Sequence, residues 1–496
     1  MGYRRAAKPP AKCRRTTWMT SESWSGPKDG LAGSLRISRE LVQCCRPWLS
    51  RTGSDSILAR HVEARIATHV RPEQLVGALI DARRVELELL QGVPDSRMLG
   101  EKAHFLEPPI WEMGHVGWFQ EWWLLRHLDG AQALLPGSDA IYDAFNVSYR
   151  IRFDHRFPSR PKTHGYISEV LKRSIGRLDR RRPGERDAYF YTLVALHEDM
   201  HAENLAAILQ TVGIALPALS AIDPGAAKPP VDPAYVPRDM AVPGGTFMLG
   251  AQSNEPFVFD NEKWAHEVEV APFRICSTAV RNAEFAAFVD DGGYRRRELW
   301  GRRGWDWRRR EAAEHPLFWR RDGATWLHRR FGDTVPLDPW HPIVHVNWFE
   351  AEAYCQWAGR RLPTEAEWEM AATWDPAAGR KRRFPWGDEP PTPARANLDW
   401  RAGGTVDVRA LAAGDSALGC RQMIGNVWEW VEDTFEPYPG FCCDPYAAYS
   451  QPYFGEKKVL RGGAWTTRSR LIRATWRNFF KRHRRNIFAG FRTIAR

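Results

Sequence analysis

Three histidines in the first half of the chain have the types and spacing expected of a metal site. His197 and His201 stand four residues apart in the run LHEDMHAE, and on a helix positions i and i+4 lie on one face, about one turn apart. Imidazoles placed in this way can bind one metal ion together. His115, in the apolar run PIWEMGHVGWF at residues 109–119, is the candidate for a third ligand, because helical bundles often build metal sites from facing helices.

The same pair of histidines supports two other interpretations. The letters H-E-x-x-H predict a zinc hydrolase in which Glu198 is the general base and the flanking histidines bind zinc, although the longer H-E-x-x-H-x-x-G-x-x-H pattern does not follow. The chain also has 15 histidines, so an i, i+4 pair can arise by chance. A binding module with a purely structural bundle therefore remains open at this point.

The elements that must position these histidines are helices. Apolar periodicity predicts helices over residues 56–91, divided at Pro72, over 111–128 after Pro109, and over 166–178 and 185–212. We therefore expect a four-helix bundle over residues 55–222, after a basic leader at 1–54. A linker rich in proline and alanine, 223–238, leads to residues 239–496, where short strands, glycine and tryptophan dominate.

Composition and charge exclude several classes of protein. The 496 residues are 43% hydrophobic and 26% charged, which is typical of a globular protein. The net charge of +11 comes from the ends, because residues 1–50 hold ten Lys/Arg against three Asp/Glu and residues 468–496 hold ten against none. We therefore expect no nucleic-acid function, since such a face needs basic residues clustered on a folded element.

The cysteines and the apolar segments predict a compartment. The 8 cysteines show no C-x-x-C pair, which predicts a reduced, cytoplasmic protein and not a disulfide scaffold. No apolar stretch follows the first arginines as it does in a secretory signal. The most apolar segment, 205–222, contains Gln210 and Pro217 and is interpreted as a buried helix, so no membrane span is expected.

Four sequence blocks in the second half carry a resemblance to a known family. They are GRRLPTEAEWE at residues 359–369, GNVWEW at 425–430, VLRGGAW at 459–465 and FAGFR at 488–492. In this order they resemble the formylglycine-generating-enzyme-like fold, a loop-rich α+β domain related to C-type lectins. The cysteines that the family's thiol-oxidising activity uses are replaced by Thr467 and Ile472, so this domain is expected to bind a substrate.

The first half resembles a second family. The run at 109–119 and the pattern His197-x-x-x-His201-x-Glu203 look like the DinB-type bundle of the EgtB-type ergothioneine sulfoxide synthases, which join such a bundle to this C-terminal fold. The resemblance implies an α+β, two-domain, non-haem iron enzyme in which His115, His197 and His201 bind iron(II). It implies O2 as co-substrate and hercynine, the trimethylated histidine, as the molecule whose imidazole C2 receives the new bond.

Several residues differ from that family's pattern. These differences bear on the chalcogen donor, the sulfur- or selenium-containing molecule that is joined to hercynine. Met200 stands where the ergothioneine synthases commonly have a glutamine that contacts hercynine, and Asn478 and Phe479 match positions that hold its betaine end. Phe480 replaces an aspartate that binds the amino group of gamma-glutamylcysteine, and a buried ammonium without that counter-charge is costly. Two interpretations remain: coupling to a selenosugar, as in the related SenA-type selenoneine synthases, which we favour, or coupling to cysteine or another thiol.

The resemblance also suggests catalytic and donor-binding residues. In the family a tyrosine near the iron donates a proton and steers the enzyme toward coupling, and the candidates here are Tyr149 and Tyr438. A phenol can supply a proton at such a position. Arg156 and Arg160 lie where the family places arginines that bind the donor, and the aromatic stretch at 446–453 could receive a sugar.

Overall fold

The computed structural model describes residues 71–100, 106–147, 151–179 and 183–496. The predicted leader at 1–54, the first predicted helix before Pro72 and the candidate Tyr149 lie outside the described residues. The boundaries predicted between leader, bundle, linker and C-terminal domain remain predictions.

The first part of the described chain is a bundle of long helices. Four helices of 13 to 28 residues and one short helix build it: α1 (Pro72–Gln91), α2 (Pro109–Glu121), the short α3 (Asp139–Tyr142), α4 (Arg160–Asp179) and α5 (Glu185–Val212). A π-helical segment, Trp122–His127, continues α2. Helix α1 packs mainly against α5, and α2 against α4.

Local signals fix where these helices begin and end. Proline occupies the first turn of α1 and of α2, where its missing N–H costs nothing. Gly213 ends α5 in the left-handed conformation, with φ of 69°, which a glycine adopts without steric cost. All 13 residues of α2 are buried, so this helix is the centre of the bundle and its polar side chains must find partners inside the protein.

The second part is built from small sheets and short helices. Its helices are α6 (Asn282–Asp290), α7 (Arg302–Arg310), α8 (Trp348–Trp357) and α9 (Glu365–Thr373). Its strands are β1 (Asp239–Val242), β2 (Gly245–Leu249), β3 (His266–Val270), β4 (Phe273–Cys276), β5 (Trp319–Asp322), β6 (Thr325–Arg330), β7 (Asp333–Pro336), β8 (Arg360–Arg361), β9 (Trp374–Asp375), β10 (Arg380–Lys381), β11 (Trp428–Thr434), β12 (Lys458–Arg461), β13 (Asn478–Phe480), β14 (Ala489–Gly490) and β15 (Ile494–Ala495).

Two four-stranded sheets form the frame of this part, in the orders β1-β4-β15-β8 and β13-β12-β11-β14. Strand β13 pairs antiparallel with β12, with Leu460 opposite Asn478 and Val459 opposite Phe479. The three remaining sheets are β2-β3, β5-β6-β7 and β10-β9. Strand β13 is the edge strand of its sheet. The segment that carries Asn478 and Phe479 is therefore paired with a strand of this sheet on one side only.

The recognised sequence blocks supply a buried ionic core. Arg492 makes two hydrogen bonds to the carboxylate of Glu429, at 2.7 and 2.8 Å. Glu365 lies 2.6 Å from Arg461 and 2.7 Å from Arg477. These buried charges are paired, as burial requires. The blocks therefore identify the fold through residues that hold it together.

The bundle and the C-terminal part meet through charged and polar contacts. Asp199 of α5 accepts two hydrogen bonds from Arg470, at 2.6 and 2.7 Å. Glu203, four residues further along, accepts one from the indole of Trp428 at 2.6 Å and one from Thr467 at 2.7 Å. Because both acids lie on the helix that carries His197 and His201, these contacts fix the second domain relative to that helix.

Within the described ranges, no helix combines the length and the apolar character needed to span a bilayer.

Candidate metal centre

The structure brings the three predicted histidines together. His115 comes from α2, and His197 and His201 come from successive turns of α5. One ligand atom from each ring lies within 4.8 Å of the others. The ring centroids are 5.1 Å apart for His115 and His197, 4.6 Å for His115 and His201, and 4.4 Å for His197 and His201. Three imidazoles this close can bind one ion.

Hydrogen bonds orient two of the three rings. The Nδ1 atom of His115 lies 2.7 Å from the carbonyl oxygen of Tyr142 and that of His201 lies 2.6 Å from Oε2 of Glu112. An Nδ1–H that donates to these oxygens leaves Nε2 of each ring with its lone pair free for a metal. The buried Nδ1 of His197 has no hydrogen-bond partner among the described residues. The set fits a metal that takes nitrogen ligands.

Burial keeps the ligand set uncharged. Desolvation, together with the neighbouring His201, lowers the pKa of His115 and of His197 well below the usual value. Burial also lowers the pKa of His201 to about 4, although Glu107 opposes the shift. All three rings are therefore neutral at pH 7, which is the form that binds a metal.

Aromatic rings pack against two of the ligands. Trp111 stacks on His115 with centroids 4.4 Å apart, and Phe119 stacks on His197 at 3.5 Å. The guanidinium of Arg152 lies 3.8 Å from the centre of the Trp111 ring, and it also forms an ion pair with Glu107. These contacts exclude water from one side of the histidines and restrict rotation of their rings.

A pair of buried acids lies behind His201. Glu112, which contacts His201, also accepts a hydrogen bond from Asn204 at 2.7 Å, and Asn204 donates a second one to Glu107 at 2.7 Å. Burial raises the pKa of Glu112 and raises that of Glu107 to about 8. The sequence interpretation missed these acids. The signal for Glu112 was present, because an acid inside the apolar run of α2 must be buried with a partner.

Glu198, the general base of the zinc-hydrolase alternative, is engaged elsewhere. Its carboxylate lies 2.5 Å from Nε of Arg83, and both side chains are almost completely buried. Gln120 accepts a hydrogen bond from the same guanidinium at 2.8 Å. A carboxylate held in this way is not positioned to activate a water molecule at the metal.

The C-terminal domain places a tyrosine beside the histidines. The ring of Tyr446 meets that of His197 edge-on with centroids 6.0 Å apart, and it meets Phe119 at 5.0 Å. Burial raises the pKa of Tyr446, so the phenol keeps its proton at neutral pH. The sequence interpretation included Tyr446 only in the stretch expected to receive a sugar, because nothing in the sequence brings it to α5.

Tyr438, one of the two tyrosines predicted from the sequence to donate a proton, has different neighbours from Tyr446. Tyr438 has the guanidinium of Arg477 over its ring at 4.0 Å and the ring of His266 at 4.7 Å. Its buried hydroxyl has no hydrogen-bond partner among the described residues. Tyr149 lies outside the described residues. Both assignments stay predictions.

The residues predicted to bind hercynine are Met200, on α5, and Asn478 and Phe479, on β13. The sulfur of Met200 is 3.7 Å from the hydroxyl of Tyr449. Phe479 stacks on Phe435 at 4.0 Å, and its backbone N–H donates to Oδ1 of Asn478 at 2.8 Å. An aromatic cluster therefore surrounds this end of β13.

The three residues predicted to contact the donor have different surroundings. Phe480 is half-buried, with the guanidinium of Arg484 5.7 Å from its ring. Arg160 donates to the carbonyl oxygens of Leu90 and Val93, at 2.7 and 2.9 Å, so its charge lies at the end of α1. Arg156 is exposed. Donor binding by these residues stays a prediction.

Comparisons with known proteins agree with both halves of this architecture. Residues 226–496 match the family described as sulfatase-modifying factor enzyme 1-like domain. A formylglycine-generating enzyme of Streptomyces coelicolor is 35% identical and covers 50% of the chain and 86% of its own length. That similarity therefore covers about half of the chain.

Two relatives cover the bundle as well. The hercynine oxygenase of Mycolicibacterium thermoresistibile is 40% identical over 84% of this chain and 94% of its own length. The hercynine oxygenase of Mycobacterium tuberculosis is 40% identical over 85% of this chain and 98% of its own length. The chain, with its three-histidine bundle and its C-terminal domain, therefore belongs to the hercynine oxygenase family of oxidoreductases, as the EgtB-type resemblance predicted.

Proposed function

We propose that the protein is an O2-dependent non-haem iron(II) enzyme that joins a chalcogen atom to C2 of the imidazole of hercynine. The observation that carries the proposal is the cluster of three neutral imidazoles, two buried and one half-buried, from two facing helices. Family membership supports hercynine as the substrate, since the relatives that match both domains are hercynine oxygenases.

The chemistry of the ligand set favours iron(II) with open positions. His115, His197 and His201 would hold the ion through neutral nitrogens, so its full charge remains available to an anionic ligand. Bound there, iron(II) supplies sites for a thiolate or selenolate and for O2, and it lowers the pKa of a bound thiol or selenol. The protein contributes the orientation of the rings and a surface from which Trp111 and Phe119 exclude water.

Tyr446 is the residue that we assign to proton transfer. It is the tyrosine of the described chain whose ring contacts a ligand of the centre, His197. Its raised pKa keeps the hydroxyl protonated, so it can give a proton to a basic atom produced in the reaction. Tyr149 and Tyr438 remain the comparison residues for this role.

We propose a selenosugar as the chalcogen donor, with cysteine or another thiol as the alternative. Phe480 offers no counter-charge to an ammonium group, which disfavours gamma-glutamylcysteine. Arg160, predicted to bind a donor carboxylate, is occupied at the end of α1. Tyr446, Tyr449 and Tyr453 supply aromatic faces on which an uncharged sugar can pack.

The test is an aerobic assay of the iron(II)-loaded protein with hercynine and, in turn, a selenosugar, cysteine and gamma-glutamylcysteine. We expect a product whose mass shows a new carbon–selenium bond. His115→Ala should lose both iron and turnover, whereas the exposed His164→Ala on α4 should keep both. Absence of iron binding, or zinc binding with peptidase turnover, would contradict the proposed activity.

A second variant tests the donor separately. Phe480→Asp restores a carboxylate at the position in question and should increase turnover with gamma-glutamylcysteine. If the wild-type protein turns over only with gamma-glutamylcysteine, the donor assignment is wrong while the iron-dependent activity stands.

A further inference from the structure

Lys457 is a cation without an acidic partner at the edge of an aromatic cluster. Its Nζ lies 3.7 Å from the centre of the Tyr453 ring and 5.4 Å from that of Phe479, and the residue is half-buried. Within the described parts of the chain, the contacts of this ammonium are with aromatic rings, and no oxygen accepts a hydrogen bond from it. The adjacent acid, Glu456, is exposed and pairs instead with Lys481 at 3.1 Å.

The charges around Lys457 are mainly positive. Burial, Arg484 and Lys481 together lower the pKa of Lys457 to about 8, and only Glu456 acts in the opposite direction. A cation–π contact contributes about 0.5–1 kcal/mol at an exposed site, which compensates only part of the cost of a desolvated ammonium. Such a position suits an anion that arrives with a ligand.

Aromatic rings connect this position to the metal centre. Neighbouring centroids are 6.0 Å apart from His197 to Tyr446, 6.0 Å from Tyr446 to Tyr449, 5.7 Å from Tyr449 to Phe479 and 5.5 Å from Phe479 to Tyr453. The charge of Arg152 also acts on the pKa of both His115 and Tyr453. A continuous series of aromatic contacts therefore runs from His197 to the rings beside Lys457.

We propose that Lys457 binds the carboxylate of hercynine and thereby sets the enzyme's preference for an amino-acid betaine. This inference rests on the proposed function. Hercynine carries a carboxylate whichever chalcogen donor is used, whereas the selenosugar that we favour carries none. The ammonium and the carboxylate would form a charge-assisted hydrogen bond against the Tyr453 and Phe479 rings.

The experiment compares Lys457→Met with the wild-type protein in steady-state assays and in anaerobic calorimetric binding of hercynine to the iron-loaded protein. We expect the Kd and KM for hercynine to rise about ten- to a hundredfold, which is the size of one charge-assisted hydrogen bond. The kcat and the KM for the donor should stay within about twofold. N,N,N-trimethylhistamine, which is hercynine without its carboxylate, should bind both proteins equally.

Two further variants control for a structural effect. Lys162→Met removes an exposed lysine of α4, and it should leave hercynine binding unchanged. Lys457→Arg keeps the charge and should restore most of the lost affinity. Thermal unfolding of each variant checks that the fold is intact.

The outcomes separate this inference from the proposed function. If no donor gives product but Lys457→Met still weakens hercynine binding, the proposed reaction fails while the carboxylate site stands. Equal hercynine binding by the wild-type protein and Lys457→Met, including no binding by either, would overturn the site. A rise in the KM for the donor alone would also overturn the assignment to hercynine.

Discussion

Each of the three proposed metal ligands is positioned by a group outside the ligand set. A carbonyl oxygen holds His115 and the carboxylate of Glu112 holds His201, whereas His197 is fixed by its stacking on Phe119. A carboxylate behind a ligating imidazole fixes its tautomer and increases its basicity. Glu112 is therefore the residue outside the ligand set whose charge most directly affects the metal.

The first prediction concerns Glu112→Gln. The amide keeps an acceptor for His201 but removes the negative charge, so we expect iron(II) affinity to fall about ten- to a hundredfold, measured by anaerobic titration. Glu86→Gln is the matched control, because Glu86 is also a buried acid of the bundle but neither of its carboxylate oxygens has a hydrogen-bond partner among the described residues. Equal loss of affinity in both variants would show that Glu112 acts only through packing.

The second prediction concerns the proton donor. Tyr446→Phe removes the hydroxyl while keeping the ring that packs on Phe119 and His197. We expect kcat for coupling to fall about a hundredfold or more, the lower range for loss of a general acid, with iron content unchanged. Tyr438→Phe and Tyr149→Phe, assayed in parallel for coupled and oxidised products, decide among the three tyrosines.

At the scale of elements, glycine lets α2 approach its neighbours closely. A Cβ atom added to Gly114 would overlap the ring of Tyr142, and one added to Gly117 would overlap Ile167. The carbonyl of Tyr142 is the acceptor that orients His115. Gly114, which precedes His115 in the sequence, therefore links helix packing to the geometry of the site.

The third prediction follows from this packing. Gly114→Ala must displace Tyr142, so we expect a loss of about 1–3 kcal/mol of stability in the metal-free protein, typical of overpacking, together with weaker iron binding. Gly165→Ala in α4 is the control, because a Cβ there meets nothing within 4 Å and should stabilise the helix by about 0.5–1 kcal/mol. Chemical denaturation and iron titration measure both effects, and unchanged values for Gly114→Ala would contradict the argument.

Sequence patterns predicted the elements better than the contacts between them. The spacing of His197 and His201 and the apolar run around His115 are local signals, and they predicted the helices and the ligand set that the structure brings together. Tyr446, Arg152 and Lys457 meet their aromatic neighbours only through the tertiary fold, so no local pattern marks them. The four sequence blocks of the C-terminal half predicted the fold, yet Glu365, Arg461 and Arg492 belong to its buried ionic core and not to the site.

At the scale of the whole molecule, the proposed reaction needs the two domains to be held in a fixed relative position. The metal ligands belong to the bundle, whereas Tyr446 and Lys457 belong to the C-terminal part. Asp81 and Asp199 of the bundle share Arg468 and Arg470 of the C-terminal part. Although burial opposes the shift, Arg468, Arg84 and Arg470 together lower the pKa of Asp81 to about 2, so Asp81 is ionised in any ordinary buffer.

The last prediction separates metal binding from turnover through this interface. Arg470→Met removes the cation that makes two hydrogen bonds to Asp199, whose side chain is 1% exposed. An uncompensated buried carboxylate should cost about 2–3 kcal/mol, at or slightly below the range measured for broken buried pairs, since Arg468 remains nearby. Because His115, His197 and His201 all lie in the bundle, iron content should persist. Coupling should fall at least tenfold, since Tyr446 is no longer held against His197, and thermal unfolding should broaden or split in two.

Arg173→Met, which breaks an exposed pair within α4, should change stability by less than about 0.5 kcal/mol and leave turnover intact. Parallel loss of iron and activity in Arg470→Met would instead place the effect of the interface on the metal ligands themselves.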